Sequence, residues 1–138
     1  MAADMAARRR GRIVLVSSIT AAAPNPGVAA YAASKAYTTS LAQALQSELE
    51  PLGVGVTCAM PGATRTCFGA NSNAGRALCF RLPFVAMDAP DVAQQTVDAA
   101  LRGDPVVVPG WANKMYMHAL APLVPRQVLM LFVERMWR

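Results

Sequence analysis

Residues 11–62 read GRIVLVSSITAAAPNPGVAAYAASKAYTTSLAQALQSELEPLGVGVTCAMPG, and their punctuation decides the fold. After Gly11, the run Ile13-Val14-Leu15-Val16 is continuously apolar and rich in β-branched residues. That is the signature of a parallel strand covered on both faces. It stops at Ser17-Ser18, and the following Pro24-Asn25-Pro26-Gly27 predicts a loop, because two prolines fix φ and remove donors. From Ala29 to Glu50 the composition turns to Ala, Leu, Gln and Ser. Leu41, Ala44, Leu45 and Leu49 fall at helical spacing, and Pro51 and Gly53 close the helix. Val54 to Met60 is a second apolar strand, ended by Pro61-Gly62. Strand, helix, strand in this order predicts a βαβ unit.

Outward from this unit the signals thin. The stretch from Ala63 to Met87 has no clear period and reads as a long functional loop. Asp88 can cap a helix bearing Val92, Val97 and Leu101, with Gly103 at its left-handed end, and Pro105 to Pro109 reads as a third strand. Two helical pieces follow, roughly Ala112 to Ala121 and Pro125 to Trp137. The Arg-rich start, MAADMAARRR, lacks the apolar core of a secretory signal and reads as the end of a helix whose dipole the arginines oppose.

Bulk composition excludes several classes. With 138 residues and 54% hydrophobic content the chain can build one core, so disorder is not expected. The net charge is +5, but only 15% of residues are charged and the basic ones are scattered or terminal, which argues against nucleic-acid binding. Cys58, Cys67 and Cys79 form no CxxC pair, and His118 is the single histidine, so no metal site is expected and the thiols read as reduced and intracellular. No apolar run reaches the ~18 residues of a spanning helix. The tail from Trp111 is broken by Lys114, Pro122, Pro125 and Arg126.

Within the βαβ unit, Tyr31 and Lys35 stand at i and i+4, on one face of the helix. A phenol titrates near ~10, and a neighbouring ammonium favours its ionised form, which moves it towards use as a general acid or base. Ser18 ends a strand, and in open parallel sheets ligands bind outside the carboxyl ends of the strands. A lone Tyr-x-x-x-Lys is often a packed tyrosine with a lysine lying beside it. The combination with Ser18 and the Pro61-Gly62 stretch is what argues for chemistry.

Ser18, twelve intervening residues, Tyr31-x-x-x-Lys35 and then Pro61-Gly62-Ala-Thr64-Arg-Thr66 together resemble the ordered motif series of short-chain dehydrogenases/reductases. The resemblance runs from about Arg10 to Val108. It implies an α/β fold, a partial Rossmann-like doubly wound parallel sheet lacking its N-terminal strands, with a C-terminal helical extension. Residues 1–110 would be the catalytic half of such a domain and 111–138 the apolar extension. The resemblance also implies an oxidoreductase using NAD or NADP. In it Ser18 would orient the substrate carbonyl, Tyr31 transfer the proton, and Lys35 bind the nicotinamide ribose and tune the tyrosine. Pro61, Gly62, Thr64 and Thr66 would contact the cofactor.

The sequence also departs from that pattern. None of the nine glycines forms the glycine-rich turn that accommodates a pyrophosphate. Gly53-x-Gly55 precedes a strand and is not that turn. The family's catalytic asparagine has no counterpart, and the strand Ile13 to Val16 would lack a neighbour, leaving an apolar edge. The chain is therefore expected to be a fragment or truncated form of a longer enzyme. The expected substrate is a small hydrophobic carbonyl or alcohol, and the protein is expected to form a homo-oligomer or to bind another subunit. Residues 111–138, apolar with basic flanks, could meet a membrane surface. The expected location is the cytoplasm or the face of a membrane such as the endoplasmic reticulum. The competing reading is an inactive truncated isoform that acts through interaction or membrane contact.

Overall fold

The computed structural model describes residues 1–67 and 85–137. Helix α1 (Ala2–Ala7) leads into strand β1 (Gly11–Val16), and a 3-10 turn (Ile19–Ala22) and loop precede helix α2 (Ala29–Leu49). A second 3-10 turn (Glu50–Leu52) enters strand β2 (Val54–Ala59). Then come the short strands β3 (Thr64–Arg65) and β4 (Met87–Asp88), helix α3 (Ala89–Arg102) and strand β5 (Val106–Val107). Helix α4 (Trp111–Met115) runs on through a π-helical turn (Tyr116–Leu120) and a last turn (Ala121–Leu123), and helix α5 (Arg126–Trp137) closes the described chain. Most of the loop expected over 63–87, with Cys79, lies outside the described residues.

The βαβ unit forms as read. β1 and β2 are parallel, with Gly11 opposite Val54 and Val16 opposite Ala59, and β5 joins β2 on its other edge to give the order β1-β2-β5. β3 and β4 form a separate parallel pair, Thr64 opposite Met87. This is an α/β fold with a parallel, Rossmann-like sheet.

Burial separates the two long strands. β2 is covered on both faces, with every residue except Gly55 buried. β1 alternates between half-buried and exposed, and Val14 and Val16 are 38% and 55% exposed, so coverage on both faces fails for β1 while the apolar edge expected of a strand without a neighbour is present. The reason is position. β2 lies between two strands, whereas β1 is the edge of the described sheet. A continuous apolar run marks what a strand could bury, and only the neighbours decide what it does bury.

The core is small and tight. Ala42, Cys58, Met60 and Val108 form its buried centre, joined by Leu15, Ile19 and Met117. Of the expected stripe Leu41, Leu45 and Leu49 are half-buried and Ala44 is exposed, while Ala32 and Ala42 are the buried residues of α2. Alanine at the contact lets the helix approach the sheet closely. A second cluster, Leu129 and Val133 of α5 against Ala23, seats the C-terminal helices on the loop after β1.

Ends and corners follow their residue types, with two exceptions. Gly53 and Gly103 take φ of +75° and +86° and end their helical turns. Asp88 is the N-cap residue of α3, but its carboxylate does not cap; it pairs with Arg65 at 3.0 Å. The arginines after α1 also differ from the reading. Arg8 Nε donates to the Arg10 carbonyl at 3.0 Å and Arg9 Nη2 to the Pro51 carbonyl at 3.1 Å, so the second pins the start of the chain to the entry of β2.

Candidate active site

Adjacent side chains at a strand end point opposite ways, and this assigns Ser17 and Ser18 different tasks. Ser17 is buried towards α2, where its Oγ donates to or shares hydrogen bonds with the Lys35 carbonyl and Thr39 Oγ1, each at 2.7 Å. Both serines border the cavity, but only the Ser18 hydroxyl is not spent on α2. Ser18 is the N-cap residue of the 3-10 turn, extended at φ −163°, and its Oγ accepts the Thr20 N–H at 3.2 Å. Because that bond uses an oxygen lone pair, the hydroxyl hydrogen is left to donate to a ligand.

Tyr31 and Lys35 occupy the first two turns of α2. The Lys35 ammonium donates to the Val16 carbonyl at 2.9 Å and stands 5.6 Å from the centre of the Tyr31 ring. A cation over an aromatic face is attracted by the ring quadrupole. One lysine thus ties the helix to the end of β1 while sitting beside the phenol. The loop between Ser18 and Tyr31 is held by Asn25, a residue the sequence reading did not single out. It is buried, and its Nδ2 donates to the carbonyls of Thr20 at 2.8 Å and Ala23 at 2.6 Å. Its place inside Pro-Asn-Pro-Gly was the available signal, since asparagine commonly satisfies backbone in turns.

Pro61 and Gly62 turn the chain away from β2 at the same sheet end. The Pro61 carbonyl accepts the Ile19 N–H at 3.1 Å, which fastens the corner to the Ser18 turn. Thr64 Oγ1 donates to the Gly62 carbonyl at 3.1 Å. Ser18, Tyr31, Lys35, Pro61, Gly62, Thr64 and Thr66, all seven positions expected from the sequence, line one cavity of about 820 Å³.

The far wall is apolar and comes from segments with no motif: Val92 of α3, then Tyr116, Leu120 and Val133 from the C-terminal helices. Burial pushes the Tyr116 phenol above its ordinary range, so it is a neutral donor. Asn113 of α4 also reaches this cavity and is 3% exposed. Neither residue was legible beforehand, because each acquires its place only through the packing of the tail on the body. Among the described residues no cluster of His, Cys, Asp or Glu could hold a metal ion.

The short chain dehydrogenase family model matches residues 1–77. This chain belongs to the short-chain dehydrogenase family.

Members of the family resemble it over most of its length. An uncharacterized oxidoreductase of Myxococcus xanthus is 35% identical over 108 residues, covering 78% of this chain and 40% of that protein. The 3-ketodihydrosphingosine reductase of Bos taurus is 39% identical over 105 residues, covering 74% of this chain and 32% of that protein. Among solved structures, the short-chain dehydrogenase of Sphingobium yanoikuyae in complex with NADPH superposes with a TM-score of 0.71 at 29% identity, covering 94% of this chain and 48% of that one. The chain therefore spans from 32% to 48% of the length of these short-chain dehydrogenase relatives.

Proposed function

We propose that the full-length protein is an NAD(P)-dependent oxidoreductase that interconverts a hydrophobic carbonyl compound and its alcohol. The single observation that carries this reading is the convergence of a serine hydroxyl, a phenol and an ammonium on one cavity at the carboxyl end of β1. Residues 1–110 would supply the catalytic half of the domain, and 111–138 a helical wall of the substrate cavity.

The donor set fits the nicotinamide end of a dinucleotide. Lys35 offers an ammonium for ribose hydroxyls, and the Pro61–Gly62 corner with Thr64 and Thr66 offers polar groups along the same wall. A bound nicotinamide supplies or accepts the hydride. The chain's own residues handle the oxygen. As charge grows on the carbonyl oxygen, the Ser18 hydroxyl donates to it, and Tyr31 gives it the proton. Lys35 holds the helix turn and its phenol at the strand end through the Val16 carbonyl. In the reverse direction Tyr31 accepts the proton.

The substrate class follows from the walls. A cavity of about 820 Å³ faced by Val14, Val92, Leu120 and Val133 favours a bulky apolar body around the reacting group. The similarity to a 3-ketodihydrosphingosine reductase, named for the reduction of a keto compound, supports a carbonyl as the reacting group.

The test is turnover of NADH and NADPH by the full-length protein against hydrophobic ketones, with Tyr31→Phe as the comparison. The variant is expected to lose on the order of 10²- to 10⁴-fold in kcat/KM. A drop of only a few-fold would overturn the assignment.

One surface supports a second, compatible reading as a peripheral membrane protein. Leu123, Val128 and Leu131 are 80%, 55% and 68% exposed, beside the basic Arg126 and Arg135. Apolar side chains flanked by cations suit an anionic lipid interface. No helix of the described residues is long and apolar enough to cross a membrane. Flotation of the protein with anionic vesicles, lost in Leu123→Asp/Leu131→Asp, is the expected outcome; absence of flotation by the native protein would remove this reading. Association with a second copy or another subunit is the remaining proposal for this apolar surface, and sedimentation of the native protein distinguishes it.

A further inference from the structure

We propose that Asn113, in the C-terminal helices, is the positioning residue for the Pro61–Gly62 corner, an inference that rests on the oxidoreductase reading above. Asn113 has a buried amide, and buried amides need partners. Its Nδ2 donates to the Pro109 carbonyl at 2.8 Å and approaches the Met87 sulfur at 3.9 Å. The start of α4 around it is fixed from another side, because the Gly110 N–H donates to Gln95 Oε1 of α3 at 3.1 Å. The amide is therefore a rigid group.

That rigid group lies directly on Gly62. A Cβ added at Gly62 would overlap the oxygen, carbon and nitrogen of the Asn113 amide. Gly62 is not among the residues with positive φ, so backbone conformation does not demand glycine there. Close approach does. The corner sits where it does because Asn113 is its backstop.

The corner in turn holds the catalytic turn. Pro61 accepts from Ile19, the residue after Ser18, and Ala59 accepts the Ser17 N–H at 2.7 Å. A shift of the corner is thus passed to the Ser18 backbone. In this way a residue outside every recognised motif sets the spacing between the surface read as facing nicotinamide and the hydroxyl read as facing substrate.

The experiment is a double-mutant cycle in the full-length protein with Asn113→Ser and Gly62→Ala. Serine is chosen because its hydroxyl can still bond the carbonyl four residues back, which keeps the helix start intact. Each single variant is expected to raise the KM for the dinucleotide about tenfold, and the double variant to be no worse than the poorer single, since the new methyl enters the space the amide leaves. An additive double variant would overturn the proposal. So would a single Asn113→Ser variant that lowers the melting temperature without changing the KM for the dinucleotide. Hydrogen exchange at the Ile19 amide gives a readout independent of turnover: it should quicken in Asn113→Ser and be unchanged in Arg102→Ala, a surface control. Absence of turnover in the native protein would remove the oxidoreductase reading. Unchanged Ile19 exchange in Asn113→Ser would remove the role of Asn113.

Discussion

The hydroxyls of Ser17 and Thr39 stand 2.7 Å apart, and Ser17 also bonds the Lys35 carbonyl. The strand that ends in Ser18 is thereby bolted to the helix that carries Tyr31 and Lys35 by the residue next door to Ser18. Two adjacent serines with the same chemistry differ in what their hydroxyls hold: Ser17 bonds α2, and Ser18 caps the turn with its hydrogen left to donate.

Ser17→Ala and Ser18→Ala should therefore separate. Ser17→Ala removes both hydrogen bonds that tie the strand end to α2, while Thr39 Oγ1 still donates to the Lys35 carbonyl at 3.0 Å; at about 0.5–1.5 kcal/mol each, the loss is expected to cost about 1–3 kcal/mol of stability. Ser18→Ala removes the cap on the Thr20 N–H and is expected to cost about 0.5–2 kcal/mol of stability, and it alone is expected to lower kcat by on the order of 10²-fold, as loss of one oxyanion donor does. Urea unfolding and steady-state kinetics on both variants check the split. A loss of kcat in Ser17→Ala equal to that in Ser18→Ala would refute it.

Lys35→Met removes the ammonium from beside Tyr31 and leaves the Val16 carbonyl without its side-chain donor. Turnover should fall by on the order of 10²-fold, the lower range for loss of a group serving acid–base chemistry. Lys35→Arg should not restore it, because a planar guanidinium cannot replace a compact ammonium at both contacts. Full activity in Lys35→Arg would show that charge alone matters.

Two glycines with similar backbone angles should differ in cost. Gly103 has φ +86° with only the Arg12 guanidinium nitrogen, 3.7 Å away, near a new Cβ, whereas a Cβ on Gly53 (φ +75°) would overlap the Arg9 carbonyl. Gly103→Ala should cost about 1–2 kcal/mol, the left-handed penalty alone. Gly53→Ala should cost more, since the Arg9–Pro51 tether must move as well. Thermal denaturation of both variants orders them.

Alkaline pH should weaken the fold. Burial raises the Cys58 thiol above its ordinary range, opposed by a hydrogen bond with Thr39, and raises the Tyr116 phenol in the same way. Both groups stay neutral in the folded chain while the unfolded chain ionises, so stability is full below the unfolded values and is lost as pH climbs towards the folded ones. The urea midpoint should be flat up to about pH 8 and fall from about pH 9 upward. Cys58→Ala should delay the onset of this fall and Tyr116→Phe should flatten its upper part; an unchanged profile in both would contradict the assignment.

The βαβ order and the parallel sheet were legible because each depends on local chemistry, and the set from Ser18 to Thr66 was legible through the resemblance of its motifs to those of a known family. Proline and glycine interrupt the chain whatever surrounds them, and a helix sets Tyr31 and Lys35 on one face by its pitch alone. The seven residues meet because successive parallel strands end at the same edge.

What the sequence could not supply was anything that depends on a neighbour far along the chain. The exposed Ala44, the pairing of Asp88 with Arg65 and the cavity-facing Asn25, Asn113 and Tyr116 are all of this kind. Gly62 shows the division most clearly. The sequence alone determined that a Pro-Gly corner ends β2, because those residue types break a strand. Only the tertiary structure decided why the second residue is glycine: the amide of Asn113, 51 positions later, occupies the space a side chain would need.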